Sequence, residues 1–309
     1  MRLITRSDFD GLVCAVFLKE MKLIDSFLFV NPKDVQDGKI DVSENDVLTN
    51  IPYAKGCGLW FDHHESEDSR LGIERLNFNG ECRPELSTAQ IIWNYYGGEK
   101  TFGSAFLPLL DAVNRSDSGD LTQEEILNPK DFILLSFLMD PRSGLGRFHD
   151  YRISNYQFME EMIEYCRTMT IQEILQIPNV LERTKRYFEH QPLFMDMLKR
   201  VCKIKGNVII TDLLNEETIH VGNRFLVFAL YPEQNIEVRI MPVKGIPKVA
   251  INCGHSIINR TCDTNIGKLM LSFGGGGHTT VGSCQIGIGE YQNVLEQIVE
   301  NILNPIAKK

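Results

Sequence analysis

Paired cysteines are missing from this chain. Its eight cysteines, at positions 14, 57, 82, 166, 202, 253, 262 and 284, are scattered and form no CxxC. That excludes a thiolate zinc module and a dense disulfide framework, and it makes reduced thiols in a cytoplasmic protein the expectation. Long apolar runs are also missing. No stretch reaches the roughly 18 residues that a membrane helix needs, and the opening MRLITRSDFDG meets acidic residues before any signal-peptide core can form. Positive charge is in deficit, with 32 Lys and Arg against 41 Asp and Glu and a net charge of -9. A broad, sequence-independent grip on long nucleic acid is therefore not expected, whereas a local basic pocket for a short phosphorylated ligand is compatible with the charge. There is no internal repeat and no low-complexity tract.

What is present is an ordinary globular composition, 43% hydrophobic and 24% charged, over 309 residues. That length favours two domains. The first third alternates short apolar runs with helical stretches, as parallel βαβ units do. Strands are expected at residues 2–6, 26–30, 46–49 and 58–61, with helices at 11–21 and at 87–96, the second opened by a Ser or Thr cap. From about Phe102 to Lys203 the pattern turns helical, and DFILLSFLMD and YQFMEEMIEYCRTM carry apolar residues at three- and four-residue spacing. Strands return in NVIITDLL, NRFLVFALY, IEVRIMPV and KVAINCGHSI. The expected division is therefore 1–195 and 206–309.

In an open parallel sheet, ligands bind beyond the carboxyl ends of the strands. The first strand here ends in Ser7-Asp8-Phe9-Asp10-Gly11, the third in Asn50-Ile51-Pro52 and the fourth in Asp62-His63-His64. Three strands thus bring oxygen and nitrogen ligands to one edge. If the backbone is extended there, Asp8 and Asp10 point the same way and Phe9 points into packing. Two carboxylates that close repel unless a proton or cation lies between them. A carboxylate and imidazole set suits Mn²⁺ or a similar divalent cation, which can polarise a phosphoryl oxygen and lower the pKa of a bound water. Each motif alone has a plain reading: DxDG as a capped turn, DHH as an acidic strand end.

A second signal is SFGGGGHTTVGSC, residues 272–284. Four successive glycines are costly in conformational entropy and mark a close backbone approach. Backbone amides of such a loop can cradle an anion, with His278 as an added donor. A flexible loop is the alternative, and no GK[ST] follows, which excludes a P-loop.

SDFDG, FDHH, SDSGD at 116–120 and FGGGGH followed by Gly282 stand in an order and at spacings that resemble the DHH phosphoesterase superfamily over essentially the whole chain. The resemblance implies an α/β fold: a parallel-sheet catalytic domain and a smaller mixed-sheet α/β C-terminal domain, with the active-site cleft between them. It implies a metal-dependent hydrolase of phosphoric esters or anhydrides acting on a short oligonucleotide, a nucleotide or polyphosphate, in the oligonucleotide branch that includes chains called exopolyphosphatase-related. Carried over by motif, the metal ligands are Asp8, Asp10, His63, Asp117 and, as a neutral fourth, Asn50, with Asp111 as the reserve for Asp117. His64 approaches the scissile phosphate and Asp62 orients a histidine. Arg142, Arg147, Arg260, Gly275, Gly276, Gly277 and His278 are the substrate-binding candidates. A homodimer is compatible with the family, and no membrane partner is implied.

Two positions depart from the family pattern. Where relatives place a ligand before the first carboxylate, this chain has Ile4, Thr5 and Arg6, and the second-motif aspartate aligns with Asn50. The expectation is one well-formed Mn²⁺ or Mg²⁺ site, with the always-charged Arg6 guanidinium in the region of the second metal, paired with Asp8 or a substrate phosphate. Two functional classes stay open: a phosphohydrolase, and a phosphate- or nucleotide-binding protein of the same fold with weakened catalysis.

Overall fold

The structure is a computed structural model and describes residues 1–64, 72 and 77–304. The chain divides into two compact units, Met1–Asp120 with Asn128–Tyr187, and Leu121–Leu127 with Phe188–Lys309.

The first unit is built on five parallel strands, β1 (Arg2–Arg6), β2 (Ser26–Val30), β3 (Asp46–Thr49), β4 (Leu59–Asp62) and β5 (Gly80–Cys82), in the order β2-β1-β3-β4-β5. The chain leaves β1 toward β2 and returns to β3 on the other side. The C-terminal ends of β1 and β3 therefore flank the switch point where such sheets bind ligands. Thr5 and Thr49 lie opposite each other in register, and their hydroxyls lock the two ends. Thr5 Oγ1 donates to the Thr49 carbonyl at 2.9 Å, and Thr49 Oγ1 donates to Thr5 Oγ1 at 2.9 Å.

Helix α1 (Phe9–Glu20) follows β1 directly, and its residues from Phe9 to Leu18 are buried. A helix apolar all round belongs in a core, and this one packs against α2 (Thr88–Tyr95), α3 (Leu107–Ser118) and the helix Asn155–Thr168. Asp8 caps it, accepting from the Gly11 N–H at 3.0 Å. Gly11 is required by contact, since a Cβ there would lie 2.1 Å from the Arg6 carbonyl oxygen. On one face of the sheet Ile4, Leu48, Ile51 and Trp60 form a core, each fully buried apolar side chain contributing about 1.5–3 kcal/mol. Asp8 and Asp10 do not alternate along an extended strand as the sequence suggested. Asp8 is the extended cap, while Phe9 and Asp10 already form the first helical turn, because the Asp8 carboxylate satisfies a helix N–H.

The second unit carries a mixed six-stranded sheet of β6 (Cys202–Lys205), β7 (Val208–Asp212), β8 (Ile236–Pro242), β9 (Lys248–His255), β10 (Gly276–Gly277) and β11 (Val281–Gly287), ordered β10-β11-β9-β8-β7-β6. Its buried face packs beneath the helices Ile266–Leu271 and Tyr291–Leu303, around Val238, Ile251, Met270 and Ile298. NRFLVFALY is not a strand. It contains the helix Leu226–Leu230, for a topological reason: β7 and β8 pair in parallel, so the segment between them must cross over the sheet rather than join it. Asn223 turns the chain into that helix by accepting from the Phe225 N–H at 3.0 Å. Among the described residues, no helix is long and apolar enough to cross a membrane.

Candidate active site

The first unit brings Asp10, His63 and Asp117 together. Each offers one ligand atom within 4.8 Å of the other two. Asp10 reaches the site from α1, His63 from the residue after β4, and Asp117 from the last turn of α3. Asp10 is held from a fourth direction by the start of α2. The Thr88 N–H donates to its Oδ2 at 3.0 Å and the Ala89 N–H to its Oδ1 at 2.9 Å, so a carboxylate sits at a helix N-terminus. Even so, burial first, and then the charges of Asp117 and Asp8, push Asp10 up to about 6.

His63 is fixed in one tautomer. Its Nδ1 lies 3.2 Å from the Glu85 carbonyl, which can only accept, so Nδ1 carries a proton and Nε2 is the nitrogen turned to the carboxylates. Nε2 is buried, has no hydrogen-bond partner among the described residues, and lies 3.1 Å from Asp117 Oδ2. A buried imidazole nitrogen set beside two carboxylate groups suits a divalent cation. Asp117 keeps 31% of its side chain exposed, so the group opens to solvent on that side. Two carboxylates and one imidazole fit Mn²⁺ or Mg²⁺ with water completing the shell. The reserve residue Asp111 is elsewhere. It is 68% exposed and 3.8 Å from Arg115, one turn along the same helix.

The second carboxylate is surrounded by donors instead. Asp8 Oδ1 accepts from the Asn50 side-chain amide at 2.9 Å and from the Gly11 N–H at 3.0 Å, and Arg6 Nε lies 3.0 Å from Oδ2. Burial pushes Asp8 above the ordinary carboxylate range, with Arg6 opposing. Asn50 reaches in from a left-handed backbone at φ 55°, a conformation Asn tolerates better than most residues.

Asp62 is buried, 1% exposed. Its Oδ1 accepts from the His63 N–H at 3.0 Å and is 2.8 Å from His64 Nδ1. Burial works against the charge on His64, but the Asp62 hydrogen bond and the carboxylates of Asp62, Asp117 and Asp10 prevail, raising its pKa to about 9. His64 is thus an imidazolium at neutral pH, held by Asp62. Arg142 also faces this site: burial opposes its charge, but Asp140, Asp8 and Asp117 raise its pKa. Its Nε donates to Asp140 Oδ1 at 2.8 Å. Asp140, which aims Arg142, the α2 amides and the Glu85 carbonyl were not picked out from sequence. The aspartate of MDPRSG and the serine cap of STAQ were the available signals.

Of the remaining candidates, Arg147 belongs to the first unit and Arg260, Gly275, Gly276, Gly277 and His278 to the second. Arg147 donates through Nε to the Gly144 carbonyl at 3.2 Å. Exposed Arg260 donates to the Ile257 carbonyl at 3.2 Å. Gly275, Gly276, Gly277 and His278 form a hairpin arm in the second unit. A Cβ on Gly275 would lie 2.0 Å from the Ser283 carbonyl oxygen, and one on Gly277 would lie 2.3 Å from Gly282 Cα. The amides of Gly275 and His278 donate within the fold, to Met270 and Val281. The close approaches at Gly275 and Gly277 are thus made to the protein's own backbone.

No family model matches the chain, and no curated protein matches it. Among solved structures, the pGpG-specific phosphodiesterase PggH from Vibrio cholerae is 44% identical, with 98% of each chain covered and a TM-score of 0.85. A DHH-domain protein described as a member of the s1p family of ribosomal proteins shares the fold at 15% identity, over 98% of this chain and 86% of that one, with a TM-score of 0.63. RecJ from Thermus thermophilus, solved in complex with Mn²⁺, shares it at 11% identity over 98% of this chain and 52% of that one, with a TM-score of 0.52. Identity at the level seen with PggH along the whole chain, with the DHH trio at the end of β4, means that this chain belongs to the DHH phosphoesterase superfamily.

Proposed function

We propose that this protein is a metal-dependent phosphodiesterase that hydrolyses a short linear dinucleotide of the pGpG type to mononucleotides. The observation that carries the substrate is the 44% identity over 98% of both chains to a pGpG-specific phosphodiesterase. The Asp10–His63–Asp117 group supplies a centre suited to the chemistry.

A divalent cation held by Asp10, His63 and Asp117 would supply Lewis-acid polarisation of the scissile phosphoryl group and a water acidic enough to act at neutral pH. His64, charged and held by Asp62, is oriented to donate a proton or a charge-assisted hydrogen bond to a phosphate oxygen. Arg142, aimed by Asp140, adds a second fixed cation. Arg6 acts as a third, bound to Asp8 in the region where relatives would hold another metal. The cation count is thus one per chain, Mn²⁺ or Mg²⁺. His278 and Arg260 in the second unit, and Arg147 in the first, are proposed to contact the nucleotide ends.

Turnover of pGpG, cyclic dinucleotides, longer oligonucleotides, adenosine bisphosphate, pyrophosphate and polyphosphate with Mn²⁺ or Mg²⁺ tests this reading. Preferential cleavage of pGpG that is lost in His63→Ala is the expected result. Binding of pGpG without turnover would mark a nucleotide-binding protein instead, and full activity in His63→Ala would refute the centre.

A further inference from the structure

Helices α2 and α3 meet through a buried polar side chain that packing alone does not ask for. Asn114 is 8% exposed, in a helix whose other buried residues, Leu109, Leu110, Ala112 and Val113, are all apolar. An amide in that place costs stability unless both of its ends are bonded. Its Oδ1 accepts from the Ser87 hydroxyl at 2.6 Å, and its Nδ2 donates to Gln90 Oε1 at 2.6 Å. Ser87 is itself fully buried and caps α2 by accepting from the Gln90 N–H at 3.0 Å. One hydroxyl therefore closes the start of α2 and joins it to α3. A satisfied polar network of this kind specifies one placement of the two helices, where apolar contact alone would tolerate several.

This brace lies between two of the three possible metal ligands. The N–H groups that follow Ser87, those of Thr88 and Ala89, donate to the Asp10 carboxylate at 3.0 and 2.9 Å. On the other helix, Asp117 stands three residues after Asn114 and so projects from the same side of α3, with its Oδ2 3.1 Å from His63 Nε2. Short hydrogen bonds and one helical turn thus connect Asp10, through the start of α2 and through Asn114, to Asp117. The two carboxylates at the ends of this path repel each other. Left unrestrained, they would separate whenever no cation lay between them.

We infer, on the reading of Asp10, His63 and Asp117 as a cation centre, that Ser87, Asn114 and Gln90 are its positioning residues: they fix α2 against α3 and so set the separation of the Asp10 and Asp117 carboxylates. The repulsion between the carboxylates is overcome when the chain folds, not when the cation binds. A cation then meets a formed site, and the brace raises affinity without any of its three side chains touching the cation.

The test is calorimetric titration of Mn²⁺ into the full-length, metal-free protein, with the fold of every variant checked by circular dichroism and thermal melting. Asn114→Ala leaves the Ser87 cap and all three ligands in place and should raise the Mn²⁺ Kd about 10–100-fold. Ser87→Ala should weaken binding at least as much, since it also removes the cap. The double variant should lose no more than the larger single loss, because both substitutions break the same bond. Gln90→Met, at a partly exposed position, removes the other bond of the Asn114 amide and should raise Kd about threefold; it stands in for Asn114→Ala if that variant does not fold. Val113→Ala opens a cavity in the same helix, and should lower the melting temperature while leaving Kd close to the wild-type value. Wild-type affinity in Asn114→Ala, or in Gln90→Met where it stands in, would overturn the brace, and so would a weakening by Val113→Ala as large as that by Asn114→Ala. A wild-type protein that takes up no Mn²⁺ at Asp10, His63 and Asp117 would instead overturn the centre itself, and the brace with it.

Discussion

Asp8 and Asp10 stand two positions apart at the end of one strand, and both are buried, yet the protein gives them opposite surroundings. Asp10 faces His63 and Asp117, and the buried His63 Nε2 lacks a hydrogen-bond partner among the described residues. Asp8 faces Arg6, the Asn50 amide and a helix N–H. One half of the site thus gathers three possible ligands and suits an added cation. Around Asp8, the Arg6 guanidinium, the Asn50 amide and a helix N–H already supply donors. The balance of donors and acceptors around each carboxylate is what separates the two halves.

The largest effect should come from the Asp10 half. Loss of groups that merely orient metal ligands costs about 10–100-fold, so His63→Ala, which removes a ligand itself, should lower kcat/KM for pGpG by more than about 100-fold. Next is Asp62→Asn, which leaves the ligands in place but weakens the hold on His64. A loss of about 10–100-fold is expected. The alkaline limb of the kcat/KM profile should also move down from near pH 9 toward the ordinary histidine range, since Asp62 is the main group raising His64. An unchanged alkaline limb would remove His64 from the proton inventory.

A smaller, thermodynamic effect separates the halves by pH. Asp10 titrates near 6 in the fold, above the roughly 3.9 of a free Asp. Its contribution to the stability of the metal-free protein is therefore fully present below about pH 4 and is lost as pH rises through about 6. A cation reverses that loss by binding the carboxylate form. The rise in melting temperature on adding Mn²⁺ should accordingly be small at pH 5 and larger at pH 7.5, and His63→Ala should flatten the difference. A Mn²⁺ increment independent of pH would break the assignment of Asp10 as a ligand.

Much of this was legible in the sequence, for physical reasons that differ by element. The parallel sheet of the first unit could be read because its strands are short apolar runs with polar ends, and the ligands could be read because strand ends converge at a switch point. The Ser87 cap of α2 is likewise a local signal with one geometric meaning. The crossover helix at 226–230 was not legible, since NRFLVFALY is continuously apolar and only the parallel pairing of β7 with β8 demands a crossover. The first-turn position of Asp10, the Glu85 carbonyl that fixes His63 and the Asp140 that aims Arg142 also depend on tertiary contacts. The glycine run was read correctly as a close approach, but which backbone approaches it depended on the β10–β11 hairpin.

The difference between the halves is most directly measured by anomalous scattering from crystals grown with excess Mn²⁺, which counts and places the cations. The expected result is one Mn²⁺ per chain, bound by Asp10, His63 and Asp117, with Arg6 remaining on Asp8. Two fully occupied Mn²⁺ ions sharing Asp8, with Arg6 displaced, would contradict it.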